Sequence, residues 1–254
     1  MCPYDILTIF MSKIRVYVEP PRIADFIKIS EMGVVHKVKN VLRLNEGDEL
    51  FIFDGAGSEY SALIKYLQHD GITLRLGSKV RETPPLGHEI VLAFPLTKEE
   101  KVDLILQKAT ELGATAFFPF IANRGLKVNP SEAKVERWQN IVKEACRQSE
   151  RLWLPALHPA QQLSEIVTGN YDKKIFADIA GIPVDTALPV SAKNILLIVG
   201  PEGDFSPEEK SFLKDSGFVP VNIGPNILRL ETAAIFITGL TSYFLETNAR
   251  GRIS

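Results

Sequence analysis

Two glycine–proline turns, Gly200-Pro201-Glu202-Gly203 and Gly224-Pro225, each close an apolar run, at 195–199 and 219–223. Glycine-rich backbone at a strand end, beside a helix start, presents main-chain N–H groups that can meet the polar groups of a ligand. Either turn alone would be ordinary strand punctuation. Their recurrence about two dozen residues apart, on consecutive strand-like runs, reads as a cofactor cradle. Charged residues bracket it: Glu202 and Asp204 on the first turn, Arg229 and Glu231 after the second. A carboxylate there can accept a proton, and a guanidinium can orient or neutralise a negative group. Glu231 would be equally at home simply as a carboxylate near a helix N-terminus, with Arg229 as its partner.

The elements that must hold these residues follow from pattern. Ser206-Pro207-Glu208-Glu209 combines a capping serine, proline at the first helical position and glutamate three residues after the cap, which marks a helix N-terminus. From residue 89 onward strands and helices alternate, the signature of an α/β sheet. Residues 90–94 form a buried-strand candidate; Thr97 and Glu100 then read as a capping box before a stripe of Val102, Ile105, Leu106, Ala109 and Leu112, stopped by Gly113. A strand at 115–121 follows, and Asn129-Pro130 opens a second helix with Val135, Trp138, Val142 and Ala145 on its core face, where Trp138 serves packing. Residues 155–190 carry the weakest pattern, with one strand at 174–177 and loop at 181–189. The last helix, 233–245, is apolar on more than one face, so it lies in the core or meets a partner subunit.

Before the α/β region the runs are short and strand-like, at 14–18, 34–35, 49–53, 60–66 and 72–76, separated by Asp54-Gly55-Ala56-Gly57 and His69-Asp70-Gly71. This reads as a small β-barrel over about 13–80, and the proline-rich 81–88 marks the domain boundary. Between residues 13 and 43 lie seven Lys or Arg and three acids, a local bias suited to phosphate contact, or to a solvated face, within a chain of net charge −2. That balance excludes a uniformly basic nucleic-acid binder and leaves a local patch open.

Two cysteines, Cys2 and Cys146, and four histidines give neither a disulfide framework nor a metal-ligand spacing, so no metal and a reducing compartment are expected. The apolar opening MCPYDILTIFM is interrupted by Asp5 and too short to span a bilayer, so a cytoplasmic location without membrane attachment is expected, with Met11 an alternative start.

The segments LLIVGPEGDFSPEE and NIGPNILRLETAAI resemble the paired C-terminal motifs of the RsmE-type ribosomal RNA methyltransferases, SPOUT-class enzymes that methylate N3 of a uridine in 16S ribosomal RNA of the small ribosomal subunit. Gln107-Lys108-Ala109-Thr110-Glu111-Leu112-Gly113, the segment Cys146-Arg147-Gln148-Ser149-Glu150-Arg151 and the run from His36 to Arg43 ending in Val-Leu-Arg are similar to further motifs of that family. The resemblance implies an α/β SPOUT domain with a trefoil knot at 89–254, preceded by a PUA-like RNA-binding β-barrel, and a homodimer. It also implies that S-adenosylmethionine is held by Val199, Gly200, Pro201, Glu202, Gly203, Ile223, Gly224, Leu228 and Thr232, beside Arg229 and Glu231 as catalytic residues. RNA contacts are then expected from Arg15, Arg22, Lys39, Arg43, Arg124, Arg147 and Arg151. The chain departs from the family in Asp204, where a second glycine is common, and in Leu230, where threonine is frequent. The alternatives are a SPOUT ribose 2′-O-methyltransferase and a non-catalytic ribosome-assembly factor; intact Gly200, Gly203, Gly224 and Glu231 argue against a decayed site.

Overall fold

A computed structural model of the chain describes residues 14–19, 24–122, 129–188 and 192–249. These form two compact units, one running up to Pro85 and including Glu150–Trp153, the other holding the remaining described residues.

The first unit contains β1 (Arg15–Tyr17), β2 (Phe26–Ile29), α1 (Met32–His36), a π-helical turn over Lys37–Val41, β3 (Glu49–Phe53), β4 (Ser58–Gln68) and β5 (Gly71–Glu82). The strands form one sheet in the order β1-β3-β4-β5-β2, with β1 parallel to β3 and the other pairs antiparallel. Alternation sends Leu50 and Ile52, Ala62 and Ile64, and Ile72 and Leu74 to one face, where Val35 and Val38 cover them. The valines at 34–35 are therefore helical, and the strand expected there is corrected. Their β-branched composition favours a strand, but Val35 and Val38 are three residues apart and both buried, a helical spacing. In the turn after β3, Asp54 Oδ1 accepts N–H bonds from Ala56 (2.7 Å) and Ser58 (2.9 Å).

The second unit is built on a parallel sheet. Its elements are β6 (Glu89–Pro95), α2 (Glu99–Glu111), β7 (Ala116–Ile121), α3 (Glu132–Gln148), β8 (Ala156–Leu157), β9 (Gln161–Gln162), α4 (Leu163–Ile166), β10 (Lys173–Pro183), α5 (Val184–Ala187), β11 (Asn194–Ile198), α6 (Pro207–Asp215), β12 (Val219–Asn222) and α7 (Leu230–Ala249). The strand order is β12-β10-β11-β6-β7-β8, with β9 also pairing β7, and every pair is parallel. Ile90, Leu92 and Phe94 of β6, with Ile195 and Leu197 of β11, share a core with α2, α3 and α7. Val91, Ala93, Leu196 and Ile198 point the other way, into a core with α4 and α6. Strands buried on both faces read as continuous apolar runs, which is why β6 and β11 stand out in the sequence.

Three expectations about this unit change. The first helix starts after Lys98, and no side chain caps it. The second starts at Glu132, two residues beyond Pro130, with the capping Ser131 Oγ accepting the Lys134 N–H. The largest difference is β10, which does not stop at residue 177: it runs to Pro183, pairing β12 on both sides of an irregularity between Ala177 and Ile182. Asp178, Gly181 and the bulge interrupt the apolar alternation, so periodicity breaks where the strand continues.

At Gly181 the strands approach so closely that a Cβ would lie 2.5 Å from both the Pro220 carbonyl carbon and the Val221 nitrogen. Backbone cannot rotate aside as a side chain can. Gly181→Ala is expected to destabilise the protein by about 2 kcal/mol or more, seen as a lowered midpoint in thermal unfolding. Gly33→Ala, whose added carbon meets nothing within 4 Å, should cause no loss.

Candidate functional site

Strands β11, β10 and β12 are adjacent and parallel, so their carboxyl ends share one edge of the sheet. Ligands of open α/β sheets bind beyond such ends. The loop after β11 brings Val199 to Asp204; the loop after β12 brings Ile223, Gly224 and Leu228; between them β10 contributes Ala177, Asp178 and Ile179. Neighbouring strands lie about 4.8 Å apart, which sets the two loops about 10 Å from each other across the end of β10. The result is a cleft of about 630 Å³, within the usual range for small-ligand sites, about 300–1,000 Å³.

The turns are made as their sequences suggest. Ser206 Oγ accepts the Glu209 N–H at 3.1 Å, and Glu209 Oε2 accepts the Ser206 N–H at 2.8 Å, with Pro207 opening α6. The Asp204 N–H donates to the Pro201 carbonyl at 2.9 Å, closing the first turn. A Cβ on Gly200 would meet the buried Phe205 ring at 3.0 Å, so glycine is needed for the loop to lie flat on its own core. Gly224 donates its N–H to Asn222 Oδ1 at 2.7 Å, and Asn222 Nδ2 donates to the Ile179 carbonyl at 2.8 Å, tying the second loop to the end of β10.

Asp204 occupies left-handed backbone, φ +61°. This accounts for its position, where glycine is common in the resembling family: aspartate is among the few side chains that tolerate such a φ.

Of the expected cofactor contacts, Val199, Gly200, Pro201, Glu202, Gly203, Ile223, Gly224 and Leu228 all line the cleft. Thr232 does not. Leu230 and Ala233, three residues apart, present the cleft-side face of α7, and the 100° step of the helix turns Thr232 out to solvent. Arg229 lines the cleft from an exposed position, and its carbonyl accepts the Ala233 N–H at 2.9 Å at the start of α7.

Sequence reasoning missed the group beside the acids. Lys101, on α2, forms an ion pair with Glu202 and stands 3.5 Å from Glu231. Thr97, read as a helix cap, directs its hydroxyl at Glu202 Oε1, 3.4 Å away. Glu231 is only 12% exposed and its Oε2 has no hydrogen-bond partner. Lys101 thus faces Glu202 of the first loop and Glu231 at the start of α7, which is not itself among the residues lining the cleft. Its bond to Glu202 holds the Glu202 carboxyl below the ordinary carboxylate range and, against the desolvation of the ammonium, raises Lys101 above the ordinary lysine value. Asp178, Asn222, Asn226 and Ile227 also line the cleft and were not expected; a strand ending Phe176-Ala177-Asp178 was the available signal for the first.

The expected RNA contacts separate into different environments. Arg15 is a correction: it is 2% exposed and forms an ion pair with Glu59, itself 3% exposed, so it serves the interior of the first unit. Alternation on β1 puts Arg15 on the face opposite Val16, where its guanidinium lies over the buried Phe53 ring. Arg43 is exposed, at φ +54°, just past the π-helical turn. Lys39 is half-buried, its ammonium donating to the Gln68 carbonyl at 3.1 Å. Arg147 is held by Glu144 one turn earlier, and Arg151 is half-buried. Arg22 and Arg124 lie outside the described residues.

Lys101→Met should return the Glu202 titration toward its ordinary value, about 4.3, as read by side-chain carboxyl NMR. Because the wild-type value is depressed, the pair's stabilisation is present above that pH and is lost as pH falls through the lower folded value. The stability difference between wild type and variant should therefore be largest near neutrality and shrink on acidification.

Comparison with known proteins agrees with this geometry. A family model described as the RNA methyltransferase domain matches residues 84–242, and one described as the RNA methyltransferase PUA domain matches residues 38–77. The ribosomal RNA small subunit methyltransferase E of Synechocystis is 33% identical, covering 94% of this chain and 80% of its own length. That of Bacillus subtilis is 32% identical over 84% of this chain and 88% of its own. Among solved structures, a Legionella pneumophila methyltransferase with bound SAM superposes with a TM-score of 0.83 at 29% identity, covering 91% of this chain and 97% of that one. The Neisseria gonorrhoeae ribosomal RNA small subunit methyltransferase E, bound to S-adenosyl methionine, gives 0.80 at 25% identity with the same coverage. Paired loops at the ends of parallel strands on either side of β10, a match across most of the second unit and relatives aligned along most of the chain together place this chain in the ribosomal RNA small subunit methyltransferase E family.

Proposed function

We propose that this protein transfers a methyl group from S-adenosylmethionine to N3 of a uridine in 16S ribosomal RNA. The observation that carries the proposal is the cleft at the ends of β11, β10 and β12, lined by the two motif loops and by Arg229. The residues fit the cofactor: the volume is that of a small-ligand site, and acids suited to a cationic ligand stand at its edge. Val199 to Gly203, Ile223, Gly224 and Leu228 would hold it. S-adenosylmethionine supplies a methyl group already activated by its positively charged sulfur.

Uracil N3 carries an imide proton that must leave before or as the nitrogen attacks the methyl carbon; the negative charge this leaves is shared with the two flanking oxygens and is consumed as the N–C bond forms and the C–S bond of the sulfonium breaks to a neutral thioether. Glu231, beside the Lys101 ammonium at 3.5 Å, is the proton acceptor in this reading. Arg229, exposed at the cleft, orients the uracil and meets the developing charge. Because N3 lies on the Watson–Crick edge, the target nucleotide must be unpaired or extruded.

The first unit is then a PUA-like barrel that grips RNA backbone. Exposed Arg43 supports this, with Lys39 and Arg151 as further contacts from the same unit, and Arg147 is a contact offered separately by the second unit. In the second unit the trefoil knot is supported by connectivity: β12 lies at the sheet edge, and α7, which follows it, returns to pack on β6 and β11. A homodimer through α7 is supported by Phe236 and Tyr243, seven residues apart on one face and 46% and 68% exposed. Action on ribosomal RNA implies a cytoplasmic location; among the described residues no helix is long and apolar enough to cross a membrane.

With small ribosomal subunits lacking the modification and labelled S-adenosylmethionine, nucleoside analysis should yield 3-methyluridine. Arg229→Ala and Glu231→Gln should each lower the rate by about 10²-fold or more. A 2′-O-methylated nucleoside would identify the ribose enzyme instead; cofactor binding without any methylated nucleoside would point to the assembly factor. Arg43→Asn, which tolerates the left-handed backbone, should weaken binding across RNA sequences and reduce the salt-dependence slope by about 1.

A further inference from the structure

Lys210, on the first turn of α6, reaches two carboxylates at once. Its ammonium is 2.7 Å from Asp204 Oδ2 and 2.9 Å from Asp178 Oδ2. Asp178, at the irregularity midway along β10, is only 6% exposed at its side chain; its Oδ1 accepts the Ala180 N–H at 3.0 Å, so both of its oxygens are occupied. Asp204 spends its other oxygen on the Phe205 N–H at 2.7 Å. Both acids line the cleft, one from the middle strand and one from the first motif loop.

We infer that Lys210 is a positioning residue for cofactor binding, holding the left-handed Asp204 corner of the first loop onto the buried carboxylate of β10. The inference rests on reading the cleft as the S-adenosylmethionine site. With glycine at position 204 the corner would form without cost and carry no handle. Asp204 makes the corner less free and supplies a charge, and Lys210 converts that charge into a tether. Burial pushes the Asp178 carboxyl up, but the Ala180 N–H and the Lys210 ammonium outweigh it and hold it below the usual range. Lys210 in turn is raised by the two acids against its own desolvation. Asp178 and Lys210 therefore remain charged at neutral pH. Without the ammonium, two carboxylates would face each other at the cleft wall, and the loop would swing away from β10.

A double-mutant cycle read by calorimetric binding of S-adenosylmethionine to the full chain tests this. Lys210→Met should weaken binding about tenfold, or about 1.4 kcal/mol, while kcat at saturating cofactor changes little. In an Asp204→Gly background the same substitution should cost about threefold or less, because there is no carboxylate left to tether. A purely structural role for Lys210, through Asp178 alone, would lower the unfolding midpoint and the affinity equally in both backgrounds. That result, or wild-type affinity in Lys210→Met, would overturn the inference while leaving the cofactor site intact. Failure of the wild type itself to bind S-adenosylmethionine would instead overturn the reading of the cleft, and the tether with it.

Discussion

The ladder of main-chain hydrogen bonds joining β11, β10 and β12 is the constraint on which everything else depends. Parallel pairing fixes both the spacing of the strands and the level at which each one ends, so loops that follow them in sequence by different routes arrive at the same edge. β10 is the spacer. It leaves the sequence earlier than either neighbour yet lies between them, and its width sets the gap that the two motif loops enclose. The close approach at Gly181 and the bulge beside it let β10 resume its pairing to β12 beyond Ala177, Asp178 and Ile179, which line the cleft.

Onto this frame the protein adds charge in a consistent way. The first motif loop carries two acids, and each is met by a lysine from a helix outside the loop: Glu202 by Lys101 of α2, Asp204 by Lys210 of α6. The loop is thus fastened near both ends by groups on two different helices. Exposed pairs of this kind contribute little stability. Their effect is to select one arrangement of a glycine-rich segment that would otherwise have many. The first unit shows the opposite regime, where Arg15 and Glu59 are almost wholly buried and either partner left alone would be a strongly destabilising charge.

The sequence-readable part of the structure is the part controlled by local physics. The capping box at Ser206, the buried runs of β6 and β11, the stripe on α2 and the glycine-proline turns all depend on residues within a few positions of one another. What could not be read depends on distant partners. The continuation of β10 past Ala177 exists because β12 pairs with it. Lys101 matters because α2 passes the first loop, a proximity that helical periodicity does not encode. Thr97 looked like a cap because its spacing to Glu100 is right, yet its hydroxyl is directed across to Glu202. The misplacement of Arg15 has the same origin: a positive charge near the N-terminus looks like surface until its buried counter-charge, far along the chain, is known. The cofactor itself came from likeness of motif, since turns and helix starts specify a cradle but not its occupant.

The sheet order has a consequence for how the chain is made. β6 pairs on one side with β7, which follows closely, and on the other with β11, which leaves the ribosome about a hundred residues later. At about 5–20 residues per second, the β11 edge of β6 waits roughly 5–20 seconds for its partner. During that interval a strand apolar on both faces carries an open row of hydrogen-bonding groups. Newly made chains of this protein therefore pass through a stage in which the middle of the future sheet is its most adhesive surface, and shielding that edge until β11 emerges is a burden on the cell rather than on the finished fold.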